Sequence, residues 1–428
     1  MSDTTRPPPN LLSMPNEILA KICAYAIDDD DAWKKGKRWL RAVRLTCKQL
    51  YTPATLEFGK RFLQDPFVMM TYYSLQALND ICAHPLFGPR VDGISVDAYR
   101  LEEWDPDWWY KKLTKSVRAR DTEEMEAAGQ ELQERLNVYR EEFDLDDNGR
   151  AAKLIAKALK LIQQHNKPVS MALLATTHVL PIGYNRGWGN GYNYQMKKTF
   201  RTLLSAAQRS QCRINKFICE IPEDQITDPN PDIDMVEIAK NTGAFAELEC
   251  IQLKIYSYVS DYTVGICGAL ELAENISELE LVTTEYPDIS PEVYHATESS
   301  ETAEAILSSL CSGSLRQIHL SRLVCKSEYL KEFLLKHQQT LEKVSFNSLV
   351  LVGAWAEVLE WIRDNLSLHM FSLSEPCYMD LGEFEGDDPD KTIQYWSSVG
   401  SWDSPDDIRA GLNQLLEIKR EADEERDH

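Results

Sequence analysis

One spacing of apolar residues recurs through the second half of the chain and constrains its fold more than any other feature. The spacing is apolar-x-x-apolar-x-apolar, and successive copies begin 28, 39, 26 and 27 residues apart. Alternating apolar positions predict short strands, and recurrence at this period predicts stacked repeats, because one strand and one helix cannot bury their apolar faces alone. The five copies are Leu248-Ile251-Leu253, Ile276-Leu279-Leu281, Leu315-Ile318-Leu320, Leu341-Val344-Phe346 and Leu368-Phe371-Leu373.

Weaker copies precede these five, at Val91-Ile94-Val96 and Ile214-Phe217-Cys219. Helices are predicted between the strands, for example over Ala303–Leu310 and Ser327–Gln338. The stretch Glu285–Glu301 is rich in Pro, Ser, Thr and Glu, which indicates a surface insertion. Within each strand the three apolar residues are expected to point inward and the residues between them to point toward a concave face.

The copies resemble leucine-rich repeats, whose period is about 20–29 residues. That family usually carries Asn or Cys three positions after the last apolar residue of the strand, whereas Tyr256, Thr284, Leu323 and Leu349 stand there in this chain. The resemblance therefore implies an irregular solenoid. A generic α/β domain with buried strands is the alternative.

Two amphipathic stretches interrupt the repeats. Apolar residues at helical spacing predict helices over Asp121–Phe143 and Arg150–His165, with a turn at Asp144–Gly149. We expect these helices to form an antiparallel hairpin inserted between residues 104 and 167.

The N-terminal region has the pattern of three short helices after a polar lead-in over residues 1–10. The first begins near Ser13–Pro15, because proline suits a first helical turn and Glu17 lies where the helix dipole favours an acid. A second is predicted over Trp39–Leu50, and a third after Pro53. Such a thin core is marginal alone, so support from a partner or from the rest of the chain is expected.

This region resembles an F-box. The resemblance rests on the stretch from Leu12 to Leu19, whose Met14-Pro15-Asn16-Glu17 follows the family's Leu-Pro-x-Glu opening, and on the stretch from Leu40 to Leu50, which has the family's closing Arg-x-x-Cys-like helix. The family docks on the SKP adaptor of cullin–RING ubiquitin ligases. The resemblance implies an adaptor-binding surface made of Leu12, Met14, Pro15, Glu17, Ile18, Leu19, Ile22, Leu40, Val43, Leu45, Cys47 and Leu50.

The match has departures and two competing interpretations. Met14 replaces the usual Leu, Leu50 stands where many members have an aromatic residue, and residues 28–38 lengthen the link between the helices. The helices would otherwise form an ordinary cap on the repeats. The basic run Lys34–Arg44 would otherwise be a nuclear-import or nucleic-acid patch.

Composition narrows the class of partner. A formal net charge of −22 argues against nucleic acid and against an anionic membrane surface, since both need clustered Lys and Arg. Hydrophobic residues make up 43% of the chain, enough for a sizeable core. Ten scattered cysteines indicate buried thiols in a reducing compartment, so a cytoplasmic or nuclear location is expected.

No motif for chemistry is complete. The chain lacks H-E-x-x-H, G-x-S-x-G and paired Cys or His spacing, so we expect no catalysis, cofactor or metal. Exposed Trp and Tyr are favoured anchors at protein interfaces. The candidate target-binding residues are therefore Trp104, Trp108, Trp109, Trp188 and Tyr192, unless these aromatics pack the inserted helices onto the repeats.

These observations predict an α/β protein with four regions. Residues 1–10 are a flexible lead-in, and 11–64 a three-helix F-box-like module. Residues 65–374 are an irregular leucine-rich-repeat-like solenoid with a helical-hairpin insertion, and 375–428 an acidic tail with a helix. The expected function is substrate recognition for an SCF-type ubiquitin ligase, with an SKP-type adaptor, a cullin scaffold and an unknown protein target as partners. A protein-binding repeat scaffold without ligase association is the alternative.

Overall fold

The computed structural model describes residues 14–25, 39–101, 148–165, 168–174, 192–194, 196–220, 246–255, 273–283, 293–379, 393–395 and 400–426, with isolated positions at 123–145 and 267–271. The chain forms two compact units. The first comprises residues 1–96, 104–170 and 180–187, and the second comprises 97–103, 171–179 and 188–428. The protein has a mixed α/β fold with a mostly parallel sheet.

Helices dominate the first unit. They are α1 (Asn16–Tyr25), α2 (Lys48–Phe62), α3 (Tyr72–Ala83) and α4 (Arg150–Gln163), accompanied by the parallel strands β1 (Phe67–Val68) and β2 (Gly93–Asp97). A small core joins the N-terminal helices to the segment after α3. Its buried members are Cys23, Leu40, Ala54, Phe58, Leu63 and Phe87.

Helix α4 matches the second helix predicted for the insertion. Its inward face buries Ile155, Leu159 and Ile162 completely, as its apolar spacing predicts. The Asn79 side-chain amide on α3 donates a hydrogen bond to the Leu154 carbonyl at 3.1 Å, which links α3 to α4. The first predicted helix, Asp121–Phe143, lies largely outside the described residues.

The predicted boundary between the second and third N-terminal helices was wrong. Residues 39–43 are helical, but the chain turns at 44–46, and α2 begins at Lys48 rather than after Pro53. The Thr46 hydroxyl donates a hydrogen bond to the Val43 carbonyl at 2.7 Å, which competes with continuation of the helix. Pro53 is the sixth residue of α2, where it supplies no backbone N–H for the Gln49 carbonyl.

In the second unit, strand order follows chain order. The main sheet runs β4-β6-β7-β8-β9-β11-β13-β16, and its pairs from β6 to β13 are parallel. These strands are β4 (Val169–Leu174, whose first two residues belong to the first unit), β6 (Ile214–Glu220), β7 (Cys250–Ile255), β8 (Glu278–Thr283), β9 (Gln317–Ser321), β11 (Lys343–Asn347), β13 (Met370–Ser374) and β16 (Gly400–Trp402).

The repeated apolar positions align across this sheet. Ile251 pairs with Leu279, which pairs with Ile318, and the same row continues through Val344 to Phe371. Each of these five side chains is at most 1% exposed. The weaker copy at β6 joins the row through Phe217. The strands of the repeats therefore lie where the spacing predicts, and their register places every repeated residue in one core.

A second, smaller sheet follows the corners of the last repeats. It consists of β10 (Val324–Lys326), β12 (Val350–Val352), β14 (Cys377–Met379) and β15 (Ile393–Tyr395). The residue before each corner has positive φ: 57° at Arg322, 49° at Ser348 and 49° at Glu375. Leu323 and Leu349, which stand where leucine-rich repeats usually carry Asn or Cys, are buried at these corners.

Five helices complete the second unit among the described residues. They are α5 (Met196–Ser210), α6 (Val293–Ser309), α7 (Ser327–His337), α8 (Trp355–Asn365) and α9 (Pro405–Arg426). Helix α6 begins at Val293, inside the stretch Glu285–Glu301 that was predicted to be a surface insertion, and residues 285–292 lie outside the described residues. A third small sheet pairs β3 (Tyr99–Leu101) with β5 (Tyr192–Tyr194).

The C-terminal region contributes strands as well as the predicted helix. Strand β15 closes the smaller sheet and β16 closes the main one, each in antiparallel orientation. Helix α9 buries Ile408, Leu412, Leu415 and Leu416. Closing strands and a capping helix protect sheet edges that would otherwise pair with another chain.

Candidate functional site

Helix α1 has apolar residues on two faces, and within the described part of the chain only one of them is fully buried. Leu19 and Cys23 are 1% exposed and lie in the interior. Ile18, Ile22 and Tyr25 follow one another along the surface of α1, and Met14 lies two residues before the helix begins; we name these four residues the α1 stripe. In the order Met14, Ile18, Ile22 and Tyr25, their exposed fractions are 37%, 41%, 36% and 76%. An uncovered apolar stripe of this kind marks a candidate protein-docking surface.

Side-chain contacts fix α1 against α2 and so hold the stripe in place. The Arg61 guanidinium donates a hydrogen bond to the Ala24 carbonyl at 3.1 Å, which satisfies an end of α1 that lacks an intrahelical partner. The same guanidinium is paired with Glu57 at 2.5 Å. At the other end, the Pro15 carbonyl accepts hydrogen bonds from the amides of Ile18 and Leu19.

The segment around residues 39–50, like α1, has both buried and exposed apolar residues. Leu40 is fully buried, and Val43 packs against the core of the first unit. Leu45, in the turn after the helical segment, is 79% exposed. The Arg44 guanidinium lies 5.0 Å from the centre of the Phe58 ring and 5.3 Å from that of Phe87, a cation–π arrangement that fixes the turn.

The structure divides the predicted adaptor-binding residues into three groups. Met14, Pro15, Glu17, Ile18, Ile22 and Leu45 are exposed; Val43, Cys47 and Leu50 are half-buried; Leu19 and Leu40 are buried. Leu12 lies outside the described residues. Leu19 and Leu40 therefore hold the helices together and offer no surface to a partner.

Of the five predicted target-binding aromatics, the structure describes one. Trp104, Trp108, Trp109 and Trp188 lie outside the described residues. Tyr192 begins β5 and pairs with Leu101 of β3.

The outer side of the main sheet provides a second candidate surface. Along β9, β11 and β13, buried residues alternate with half-exposed or exposed ones. Ser401 of β16 extends the outer side because it pairs directly with Ser372. We name this set the polar sheet face; it comprises Gln317, His319, Lys343, Ser345, Asn347, Met370, Ser372, Ser374 and Ser401.

The apolar spacing predicted that these positions point toward a concave face that holds a target, but no motif marked individual residues there. The signal was the residue between the second and third repeated apolar positions, which is His319, Ser345 and Ser372 in the last three repeats. The prediction of a target-binding surface relied on the large aromatics in residues 104–110 and 188–192. Single serines carry no motif, so the sheet residues were not named.

Burial keeps three cysteine thiols in their protonated form. Burial raises the pKa of Cys82, Cys219 and Cys325 to about 12, so these thiols stay protonated at neutral pH. In the part of the chain that the structure describes, no group of three or more His, Cys, Asp or Glu side chains is placed to hold a metal ion.

Two further findings concern membrane-spanning helices and similarity to known proteins. Among the described helices, none has both the length and the apolar composition needed to cross a membrane. No protein-family model matches this chain, and no curated protein is similar enough to it to count as a relative.

Proposed function

We propose that the protein is a substrate-recognition adaptor of an SCF-type cullin–RING ubiquitin ligase, acting in the cytoplasm or nucleus. In this proposal an SKP-type adaptor covers the α1 stripe and the repeats hold a target protein. The observation that carries the proposal is the exposure of Ile18 and Ile22 on the helix that resembles the start of an F-box. The chain supplies apolar residues there that its own core does not use.

The energetics favour a partner at this surface. Complete burial of an isoleucine side chain is worth about 1.5–3 kcal/mol, and Ile18 and Ile22 realise only part of that within the chain. The core beneath them is small and uses short helices, so a subunit that covers α1 also stabilises the first unit. An apolar helix face laid into a groove is a common mode of recognition.

Catalysis in this proposal is by proximity. A receptor that holds a target beside a ubiquitin-loaded enzyme raises the effective concentration of the target's lysines. The receptor needs no catalytic residue of its own for this task. The proposal therefore assigns binding roles to the α1 stripe and to the repeats.

Co-purification with the adaptor and cullin tests the proposal. The chain would be co-expressed with an SKP-type adaptor and a cullin, and complex formation followed by size-exclusion chromatography. The disruptive variant is Ile18→Glu with Ile22→Lys, which replaces exposed apolar groups by an i,i+4 charge pair that favours the helix. A substitution at Leu19 would not test this surface, because Leu19 is buried. Deletion of residues 1–60 would not test it either, because α2 contributes Ala54 and Phe58 to the core of the first unit.

A matched control lies on α7. Tyr329 and Leu335 are 43% and 52% exposed, so Tyr329→Glu with Leu335→Lys changes the same number of exposed apolar side chains and introduces the same charges. The expected result is a complex with the wild-type chain and the control, and none with the α1 variant. An α1 variant that is folded and still assembles with adaptor and cullin would contradict the proposal.

The alternative function is a protein-binding repeat scaffold without a ligase. It is favoured by the polar sheet face, whose exposed groups require no adaptor. A wild-type chain that stays separate from the adaptor and cullin, yet binds a protein through the repeats, would support this alternative.

A further inference from the structure

Acidic and basic residues are segregated along the chain. Residues 148–219 contain twelve Lys and Arg and no Asp or Glu, while the other 34 of the 46 bases and all 68 acids lie elsewhere. Helix α4 stands at the beginning of this segment. A chain with a net charge of −22 therefore contains a strongly basic region that its net charge does not reveal.

The bases of α4 lie on one face of the helix. They follow one another at intervals of three, four and three residues, and all four are exposed. At 3.6 residues per turn and 1.5 Å per residue, they fall within an arc of about 80° and span about 15 Å along the helix axis. We name this set the basic α4 face; it comprises Arg150, Lys153, Lys157 and Lys160.

The described part of the chain does not compensate these charges. The side chains of Lys153, Lys157 and Lys160 make no ion pair or hydrogen bond there. The Arg150 guanidinium lies 5.6 Å from the centre of the Tyr72 ring on α3, which fixes one end of the face. The one acid of α3 is Asp80, and its carboxylate accepts a hydrogen bond from the Gln76 amide of the same helix at 3.0 Å.

The placement of these charges opposes the stability of α4 itself. The helix begins with Arg150 and has no acid in its first turn, although the dipole favours negative charge at this end. The bases also form three like-charge pairs at i,i+3 or i,i+4 spacing, which destabilise a helix. Residues that break the local rules of a structural element are expected where a surface serves a function.

Charge and geometry together favour an acidic helix as the ligand of this face. A second helix has the same rise per residue, so acids at intervals of three and four residues on its surface match the spacing of the bases on α4. Lysines along a line act as separate point charges, which suit a row of carboxylates. A single phosphate group is bound best by the converging forks of several arginines, and this face has one.

Longer polyanions are disfavoured by the rest of the chain. A nucleic-acid duplex or an anionic bilayer extends far beyond the basic α4 face. Outside residues 148–219 the chain has 68 acids and 34 bases, so phosphates on either side of the face would meet an excess of negative charge. A short helix needs only about ten residues to span the face and can end where the face ends.

We propose that the basic α4 face binds the acidic face of a helix in a partner protein. The inference is independent of the proposed function, because it uses neither the α1 stripe nor the repeats of the second unit. Carboxylates on the partner would relieve the repulsion between the bases of α4. The same lysines should therefore weaken the free helix and strengthen the complex.

The probe is a fluorescein-labelled synthetic helix of about 21 residues, long enough to be helical in water, with Glu at intervals of three and four residues. A second peptide with Gln at the same positions is its neutral counterpart. Fluorescence anisotropy with the purified full-length chain measures both affinities. The test variant is Lys153→Gln with Lys157→Gln, because glutamine keeps the helix propensity of lysine. The control is Lys254→Gln with Lys343→Gln, which removes the same charge at exposed positions of β7 and β11.

The acidic peptide should bind the wild type and the control alike, and the neutral peptide should bind neither. Affinity for the test variant should fall about three- to tenfold through the loss of two exposed ion pairs. Wild-type affinity should fall at least about tenfold between about 0.1 M and about 1 M NaCl, since the Debye length shortens from about 10 Å to about 3 Å. In the free chain, hydrogen exchange should show greater protection of α4 amides in the test variant, because repulsion is removed.

Four outcomes would overturn the inference. The first is that the acidic peptide does not bind the wild type or binds no better than the neutral one. The second is equal affinity for the wild type and the test variant. The third is reduced protection of α4 in the test variant, which would mean that the lysines stabilise their own helix. The fourth is tighter binding of a DNA duplex, or of vesicles of phosphatidylserine and phosphatidylcholine, than of the acidic peptide.

Discussion

The two units differ in what they do with a regular apolar pattern. In the second unit the repeated residues of β6, β7, β8, β9, β11 and β13 all lie in one core, because each repeat covers its neighbour. In the first unit α1 carries apolar residues on two faces and buries only Leu19 and Cys23. A pattern completed within the chain specifies the fold, whereas an uncovered pattern indicates a partner.

The ends of the two units show the same contrast. The C-terminal repeat is closed by β16 and α9, where the Trp402 ring stacks on Phe371 at 5.9 Å between ring centres. The described residues of α1 have no comparable cover over Ile18 and Ile22. Predictions about stability therefore separate residues that complete a core from residues that the proposal assigns to a partner.

The largest effect is expected in the core of the repeats. Phe346 is 0% exposed, and its ring centre lies 6.0 Å from that of Trp355 and 6.1 Å from that of Phe371. Phe346→Ala should lower the free energy of unfolding by about 3–5 kcal/mol through lost transfer energy and a cavity. Urea unfolding followed by circular dichroism measures this change.

The neighbouring outward residue is the control for Phe346. Ser345→Ala should change the free energy of unfolding by less than about 0.5 kcal/mol, because the Ser345 hydroxyl makes no hydrogen bond within the described residues. Comparable losses for the two variants would mean that the register of β11 differs from the one described.

A second prediction compares adjacent residues of α1. Leu19→Ala should destabilise the first unit by about 2–4 kcal/mol, since Leu19 is 1% exposed. Ile18→Ala should cost less than about 1 kcal/mol in the isolated chain, because Ile18 keeps 41% of its surface in water. Hydrogen exchange of α1 and α2 amides reports the stability of this unit separately, and equal losses would contradict the proposed division of α1.

A third prediction concerns His337, a polar residue buried in the second unit. His337 is 2% exposed, neither ring nitrogen has a hydrogen-bond partner in the described structure, and burial, with a smaller effect of Lys336, lowers its pKa to about 4. In the unfolded chain this histidine gains its proton near pH 6.5. The stability contributed by the neutral ring is therefore complete above pH 6.5 and is lost as pH falls from about 6.5 toward 4.

His337→Leu should remove this pH dependence and raise stability at neutral pH by about 1 kcal/mol, because no buried polar group is left unpaired. Urea midpoints at pH 7 and at about pH 4.5 test both effects, the lower value lying inside the window between the two pKa values. His369→Leu, at an exposed histidine, serves as control. An unchanged pH profile in His337→Leu would show that another group governs the acid sensitivity.

The smallest expected effect concerns the backbone. Gln211 follows α5 with φ of 55°, a conformation that favours glycine. Gln211→Gly should stabilise the chain by about 0.5–1 kcal/mol, whereas Gln208→Gly inside α5 should destabilise it by about 1 kcal/mol. Thermal unfolding distinguishes the two, and a loss of stability in Gln211→Gly would contradict the assigned turn.

Sequence pattern predicted the long regular elements better than the short ones. The strands at Ile318 and Val344 follow from apolar spacing, because stacking imposes the same pattern on every repeat. Strands β10, β12 and β14 have three residues each, too few for a periodic signal. The break before α2 was also missed, since it depends on the Thr46 hydroxyl and not on a glycine or proline.

The candidate surfaces were only partly predictable. The helical spacing of the apolar residues Ile18, Leu19, Ile22 and Cys23 predicts an amphipathic helix, but it does not show which of the four a neighbouring helix covers. That choice depends on Phe58, whose buried ring lies in the same core as Cys23 and Leu40 although it is 35 residues from Cys23. The hydroxyl-rich sheet became visible only when register placed His319, Ser345 and Ser372 side by side.

The most direct test of the account is a calorimetric titration of purified SKP-type adaptor into the chain. Ile18 and Ile22 have 41% and 36% of their surfaces left to bury, worth about 0.6–1.2 kcal/mol each, so loss of this burial should weaken binding by about 10-fold or more. We predict tight binding by the wild type and by Tyr329→Glu with Leu335→Lys, and this loss in Ile18→Glu with Ile22→Lys. Equal affinity for all three proteins, or no binding to the wild type, would contradict the role assigned to the α1 stripe.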